Sequence, residues 1–285
     1  GRVEITSDPP GATILERGVE KGRTPLKQVG IGVGERSYLL RKPGFLAKRL
    51  SGVVRADETA ELSARLVPQT AWTNSLGMVF VRVSDGLKVS IWETRCQDFR
   101  AYALANHDKL IDDNWAKDPE LRDPVVNVNW DEATDFCRWL TETEQESGQI
   151  GGNQRYRLPT EQEWLGMVGK GVYLWGDSWP PPGGIGNLRG RERMTLQDKD
   201  VIDGIEDRFK GPSPVGSFAT PGDALQIHDL VGNAWEWCGD LLGDKRFARG
   251  GGFDTFRKEQ LRPDMRAARY ELAPTVHSRS VGFRC

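Results

Sequence analysis

The sequence predicts an α+β protein: a small N-terminal all-β sandwich followed by a larger, irregular unit that mixes short strands with a few helices. Three observations carry this expectation. Residues 1–67 break into short alternating runs separated by turn signals at roughly 8–12 residue intervals. Three stretches further on join a capping-box start to an apolar stripe at helical spacing. Between 171 and 231 the periodicity fades into proline, glycine and asparagine, which is loop chemistry.

At 285 residues the chain exceeds the usual single domain, and two are expected, at 1–67 and 73–285, with 68–72 as linker. Charge is nearly balanced, 39 Lys/Arg against 41 Asp/Glu, which argues against nucleic acid or a membrane surface as the main partner. The first 67 residues hold 12 basic and 8 acidic side chains, a net of +4, and the remainder 27 and 33, a net of −6. This mild complementarity suits docking of the two parts. No apolar run approaches the roughly 20 residues that span a bilayer. The start at Gly1, already strand-like, leads us to expect a piece of a larger protein.

In the N-terminal unit Val3-Glu-Ile5, Ala12-Thr-Ile-Leu15 and Ser37-Tyr-Leu-Leu-Arg41 read as strands, with Pro9-Pro-Gly11, Thr24-Pro25 and Lys42-Pro-Gly-Phe45 as turns. Beyond the linker, Met78 and Phe80 alternate as in a strand, and Val89-Ser-Ile-Trp92 reads as another. Thr94 with Gln97, Asn129 with Glu132 and Thr160 with Glu163 are the three capping boxes. Their apolar faces are Phe99, Tyr102 and Ala103, then Ala133, Phe136, Cys137 and Leu140, then Trp164, Met167 and Val168, with Gly169 and Gly171 available as stops.

The polar chemistry concentrates in Asp229-Leu-Val-Gly-Asn-Ala-Trp-Glu-Trp237, which sets two carboxylates among apolar anchors. If they face inward they require a counter-charge, and carboxylates with nearby carbonyls make the oxygen cage preferred by calcium, which takes about six to eight oxygens. If they face outward only the tryptophans are buried. A second oxygen set is available at Asn187 and Asp207. The four cysteines (Cys96, Cys137, Cys238, Cys285) lack CxxC spacing, and His107, His228 and His277 are scattered, which argues against zinc. Buried thiols are the simplest reading of the cysteines, although four of them permit two disulfides.

Two resemblances follow from the motifs. Ser7-Asp-Pro-Pro-Gly-Ala12, Gly22-Arg-Thr-Pro-Leu26 and Lys42-Pro-Gly-Phe45 resemble a PEGA domain, a small β module of bacterial envelope proteins and receptor-like Ser/Thr kinases; Phe45 replaces the usual tyrosine or alanine. Asn74-Ser-Leu-Gly-Met78, Pro124-Val-Val-Asn-Val-Asn-Trp-Asp-Glu-Ala133, Tyr156-Arg-Leu-Pro-Thr-Glu-Gln-Glu-Trp164, Val231-Gly-Asn-Ala-Trp-Glu-Trp237, Arg249-Gly-Gly251, Arg266-Ala-Ala-Arg269 and Val281-Gly-Phe-Arg284 resemble, in order, the formylglycine-generating enzyme (sulfatase-modifying factor) family. That resemblance implies an irregular α+β relative of the C-type lectin fold, steadied by calcium. It implies one calcium site at the side chains of Asp229 and Glu236 with the carbonyls of Gly232 and Ala234. A second falls at Asn187 and Asp207 with the carbonyls of Leu188 and Phe209. Asp229 stands where the enzymes usually have asparagine.

The oxidase members of that family bind copper through two cysteines just after an Arg-Gly-Gly-Ser segment. Here Gly252 replaces the serine, Thr255 the first cysteine, and Gln260 or Leu261 the second. No thiolate is available at either place, so no copper is expected. The expected function is a non-catalytic recognition domain for a protein or peptide ligand, or a glycan, in a bacterial extracytoplasmic setting. Its contact residues are expected at Phe253, Thr255, Phe256, Arg257, Arg262, Tyr270 and Arg279, types enriched at binding hot spots. The alternatives are an oxidoreductase of the formylglycine-generating or another oxidative type, with Asp254, Glu259, Asp264 and Glu271 as candidate acids or bases, and a retroelement-diversified binding protein.

Overall fold

Alternation decides the first unit. In the computed structural model the chain divides into Gly1–Ala71 and Trp72–Cys285. The structure describes residues 1–45, 47–67, 71–84, 86–106, 121–168, 171–195, 200–219, 227–241 and 243–285. His107, Gly169 and linker residues 68–70 therefore lie outside the described residues. Strands β1 (Arg2–Asp8), β2 (Thr13–Glu16), β3 (Val19–Arg23), β4 (Leu26–Val29), β5 (Gly34–Arg41), β6 (Lys48–Val54) and β7 (Thr59–Arg65) make two sheets, ordered β4-β1-β7 and β3-β2-β5-β6. Period-two side chains from both sheets, Val3 and Ile5, Ile14, Tyr38 and Leu40, Ala64, meet in one core. Phe45 packs against that core.

The second unit adds β8 (Trp72–Thr73), β9 (Val79–Ser84), β10 (Leu87–Ser90), α1 (Cys96–Ala105), α2 (Trp130–Glu146), α3 (Glu161–Met167), β11 (Trp235–Trp237), β12 (Arg246–Arg249), β13 (Tyr270–Leu272) and β14 (Val281–Gly282). Its sheets run β10-β9-β8 and β13-β12-β11-β14. The stripes of α1 and α2 face each other: Phe99 stacks on Phe136 at 5.8 Å between centroids, and Phe283 sets its edge against Phe136 at 5.4 Å. All four cysteines are buried free thiols; the sulfurs of Cys137 and Cys285 lie 3.6 Å apart in this core. As expected, the described residues between 171 and 231 hold no regular element beyond one 3-10 turn at Arg191–Arg193.

Two of the three capping boxes form as read. Asn129 Oδ1 accepts from Glu132 N at 2.9 Å while Glu132 Oε2 accepts from Asn129 N at 2.9 Å, and Thr160 and Glu163 repeat the exchange. The third is shifted by one residue. Helix α1 is capped by Arg95, whose N–H and guanidinium both donate to Asp98, not by Thr94 with Gln97. The reason is tertiary: Thr94 donates its N–H to Phe283 O and accepts from Val125 N, so it belongs to a ladder with the C-terminal segment.

Phe136 has no exposed surface and touches three other aromatic rings besides Phe99. Phe136→Ala is expected to destabilise the second unit by about 3–5 kcal/mol. Its melting transition should fall by roughly 10 °C while that of residues 1–67 stays in place, as read by scanning calorimetry.

Candidate functional site

The loop before β11 is turned by three left-handed residues, Asp229 (φ 56°), Gly232 (φ 74°) and Asn233 (φ 64°). The tightest of these is Gly232, where a Cβ would sit 2.0 Å from Asn187 O, so no side chain fits. The turn drives polar groups inward. Asp229 accepts from the N–H groups of Gly216 and Phe218, the latter at 3.0 Å. Glu236 accepts from Arg284 Nε at 2.6 Å, Arg284 Nη2 at 2.5 Å and Trp164 Nε1 at 2.9 Å. Arg284 spends its remaining donors on the carbonyls of Ser90 and His228. Of the two readings open for the carboxylates, the inward one holds.

A third acid joins them that the sequence did not single out. Glu93, just after β10, is fully buried; its Oε1 accepts from Asn233 Nδ2 at 3.0 Å and its Oε2 has no hydrogen-bond partner. Burial first, then the charge of Asp229, pushes its carboxyl well above the ordinary range. Three buried carboxyl groups, those of Glu93, Asp229 and Glu236, thus lie in the field of the Arg284 guanidinium. Asn233 is the hub, since its Oδ1 accepts from Ser213 N at 2.8 Å and from Asn187 Nδ2 at 3.1 Å.

The second expected oxygen set lies next door, joined by a parallel bridge between Asn187 and Gly232. Asn187 donates to Gly211 O and Asn233 Oδ1, which leaves its buried Oδ1 without a donor. Asp207 accepts from Leu188 N at 2.8 Å and Phe209 N at 2.9 Å, yet burial raises its pKa to about 6. The donorless oxygens of Asn187 and Glu93 and the crowding of buried carboxyl groups fit a hard cation. Glu236, by contrast, is already held by three donors. Among the described residues no three His, Cys, Asp or Glu side chains converge as a cage, so backbone oxygens would supply much of any coordination.

The other expected contact residues gather around the turn that follows β12. Thr255 is buried, its Oγ1 accepting from Gly252 N at 2.9 Å, and Phe253 is buried beneath Arg193, whose guanidinium lies 4.6 Å from the ring. Phe256 is half-buried with two guanidinium groups near it, Arg189 at 5.5 Å and Arg257 at 5.4 Å. Arg279 is exposed, and Tyr270 leans on Trp235 at 5.4 Å. Burial lowers the pKa of Arg193; Asp254 opposes this, and the charges of Arg189 and Arg279 reinforce it. The structure therefore assembles Phe256, Arg257 and Arg279 with Arg189 and Arg193, which sequence reasoning missed because they lie in an aperiodic loop. Arg262 is drawn off into a pair with Asp264 at 2.7 Å. Of the candidate acids, Glu271 faces Arg266 at 3.2 Å. Leu261 packs into an apolar cluster with Leu188 and Tyr173, and no cysteine stands near Thr255 in sequence.

The second unit is thus a mixed α+β scaffold with buried carboxyl groups beside the turn at Gly232. Residues 67–285 match the sulfatase-modifying factor enzyme 1-like domain, and the chain belongs to that family; residues 1–70 match the PEGA domain. It is 31% identical over 176 residues to the inactive C-alpha-formylglycine-generating enzyme 2 of Bos taurus, covering 58% of this chain and 50% of that one. It is 29% identical over 191 residues to the formylglycine-generating enzyme of Streptomyces coelicolor, covering 57% and 52%. The chain thus spans about half the length of these curated relatives. The solved structure of PvdO from Pseudomonas aeruginosa superposes with a TM-score of 0.51 at 17% identity over 88% of this chain and 90% of that one, a likeness of fold alone.

Removing one partner of a buried ion pair leaves an uncompensated charge, at a cost of about 3–5 kcal/mol. Arg284→Met is expected to lose about that much from the unfolding free energy of the second unit, and Arg284→Met with Glu236→Gln to recover part of it. A single variant as stable as the parent in urea titration would mean that the pair is not an anchor.

Proposed function

We propose that residues 72–285 form a non-catalytic recognition domain on the formylglycine-generating scaffold, which presents the arginine and phenylalanine face around Phe256 to an acidic protein or peptide segment. The observation that carries this reading is the fate of the two positions where oxidase members hold copper. Thr255 commits its buried hydroxyl to a turn, and Leu261, or Gln260 beside it, brings no sulfur. Cu(I) selects soft thiolates, and the four thiols present are buried; burial pushes Cys96 up to about 12 and Cys238 well above its ordinary value. In place of a reactive pair the face carries Arg189, Arg193, Arg257 and Arg279, a fork-shaped donor set suited to carboxylates. The buried interior of such a domain need only hold its shape.

The copper test separates this reading from the oxidase one. Purified chain incubated with Cu(I) and a peptide carrying a Cys-x-Pro-x-Arg motif is expected to show no stoichiometric copper binding and no loss of the peptide thiol. Copper bound one to one, with the thiol consumed, would make the domain an oxidoreductase.

The same proposal places calcium in the buried oxygens. Asn187 and Asp207 would hold one ion with the carbonyls of Leu188 and Phe209, and Asp229 another with those of Gly232 and Ala234 and the free oxygen of Glu93. The donorless Asn187 Oδ1 and Glu93 Oε2 support this assignment. What the ion would supply is positive charge beside buried carboxyl groups and donorless oxygens. A ligand present at about 100 times its Kd stabilises by about 2.7 kcal/mol, so EGTA is expected to lower the melting temperature of the second unit by roughly 5–10 °C and leave residues 1–67 unaffected. Added calcium should restore it in the parent and restore less in Asp207→Asn; a melt indifferent to EGTA would remove calcium from the proposal.

A further inference from the structure

A cavity of about 490 Å³ opens in the second unit between the β9–β10 hairpin and the segment that joins α2 to α3. It shares no residue with the loop face around Phe256 or with the buried carboxylate nest. Three aromatic rings form one wall: Trp72 to Phe80 at 5.3 Å, Phe80 to Tyr156 at 5.6 Å, and Trp72 to Tyr156 at 6.2 Å with planes 25° apart. The opening carries Arg82, Lys88, Arg155 and Arg157 against a single carboxylate side chain, Glu163.

The wall is held from behind. Tyr156 donates its hydroxyl to Glu144 Oε2 at 2.5 Å, and Glu144, fully buried, also takes the N–H of Ser75 at 2.8 Å. Arg157 grips Glu163 with two hydrogen bonds of 2.6 Å, and this pairing holds the Glu163 carboxyl down to about 2. The one acidic side chain of the lining is thereby paired. Lys88 and Arg155 are both exposed and have no carboxylate partner among the described residues; Lys88 Nζ hangs 5.3 Å from the centre of the Trp72 ring. Fixed aromatic faces below two exposed cations make a preorganised receptor, and the volume lies within the roughly 300–1,000 Å³ of small-molecule sites.

We propose that this cavity binds a small aromatic anion, its planar body against Trp72, Phe80 and Tyr156 and its carboxylate, sulfonate or phosphate on Lys88 and Arg155. The site is independent of the recognition face, so its test stands apart from the copper and calcium experiments. The probe is 8-anilinonaphthalene-1-sulfonate, titrated into the full chain and followed by energy transfer from tryptophan, with stoichiometry from calorimetry. One saturable site per chain is expected. It should weaken by about tenfold or more in Lys88→Glu with Arg155→Glu, which removes both charged donors to the anion, at an unchanged melting temperature. The control is Lys48→Glu with Arg49→Glu, which makes the same change of net charge at exposed positions of the first unit and should leave binding unaltered. Absence of a saturable site, a weakening under about threefold in the first variant, or an equal weakening in the control would overturn the proposal.

Discussion

The arrangement of the second unit depends on the ion pair between Glu236 and Arg284. The two strands that lead to them run parallel, Trp235 opposite Val281 and Glu236 opposite Gly282. Gly282 has no room for a side chain, because a Cβ there would sit 2.3 Å from Val125 O, and the backbone of the C-terminal segment therefore lies flush against the 124–128 turn. Two residues on, Arg284 turns inward and reaches Glu236, Ser90 O and His228 O at once. One guanidinium thus ties strand β10, the loop before β11 and the C-terminal segment together. A pair this deep contributes little net stability over an apolar substitute, because desolvating both ions offsets much of their attraction. What it contributes is selection: any other register of β14 takes Arg284 away from the carboxylates it neutralises.

How far the sequence could be read follows from how local each interaction is. Asn129 with Glu132 and Thr160 with Glu163 close their boxes within one turn, and Ala133, Phe136, Cys137 and Leu140 need only helical spacing to share a face. Thr94 satisfied the same local rule, and a ladder to Phe283 and Val125 outweighed it. Glu93 was invisible for a similar reason. In sequence it is one acid between a tryptophan and a threonine, and only a chain segment 140 residues away turns it into part of a nest. Phe253 and Thr255 read as contact residues by type, but the positive-φ turn at Gly250 (φ 102°) and Gly251 (φ 82°) sends both side chains inward, so the face falls to Phe256 and to the arginines of a loop without periodicity.

The carboxylate nest and the loop face are mechanically one object. Asn233 bonds Glu93 and Asn187 with its side chain, accepts from Phe253 through its backbone carbonyl and donates its own N–H to Asn187 O. Phe253 in turn lies under Arg193, at the centre of the arginine group. The hydrogen bonds of Asn233 thus join the buried oxygens to the loop that carries Phe253. Such coupling needs no moving part, because a stiff hydrogen-bonded hub transmits strain directly.

The charge of that face distinguishes among ligand classes on physical grounds. A neutral glycan is held by stacking and by donor and acceptor groups in equal measure, whereas four guanidinium groups donate only. Burial lowers the pKa of Arg193, the charges of Arg189 and Arg279 add to this by repulsion, and Asp254 opposes it. A ligand that brought carboxylates would remove this repulsion on binding and gain bidentate hydrogen bonds as well. A basic segment would add to the repulsion. In the proposed reading, the arginine face thus favours acidic partners over basic ones.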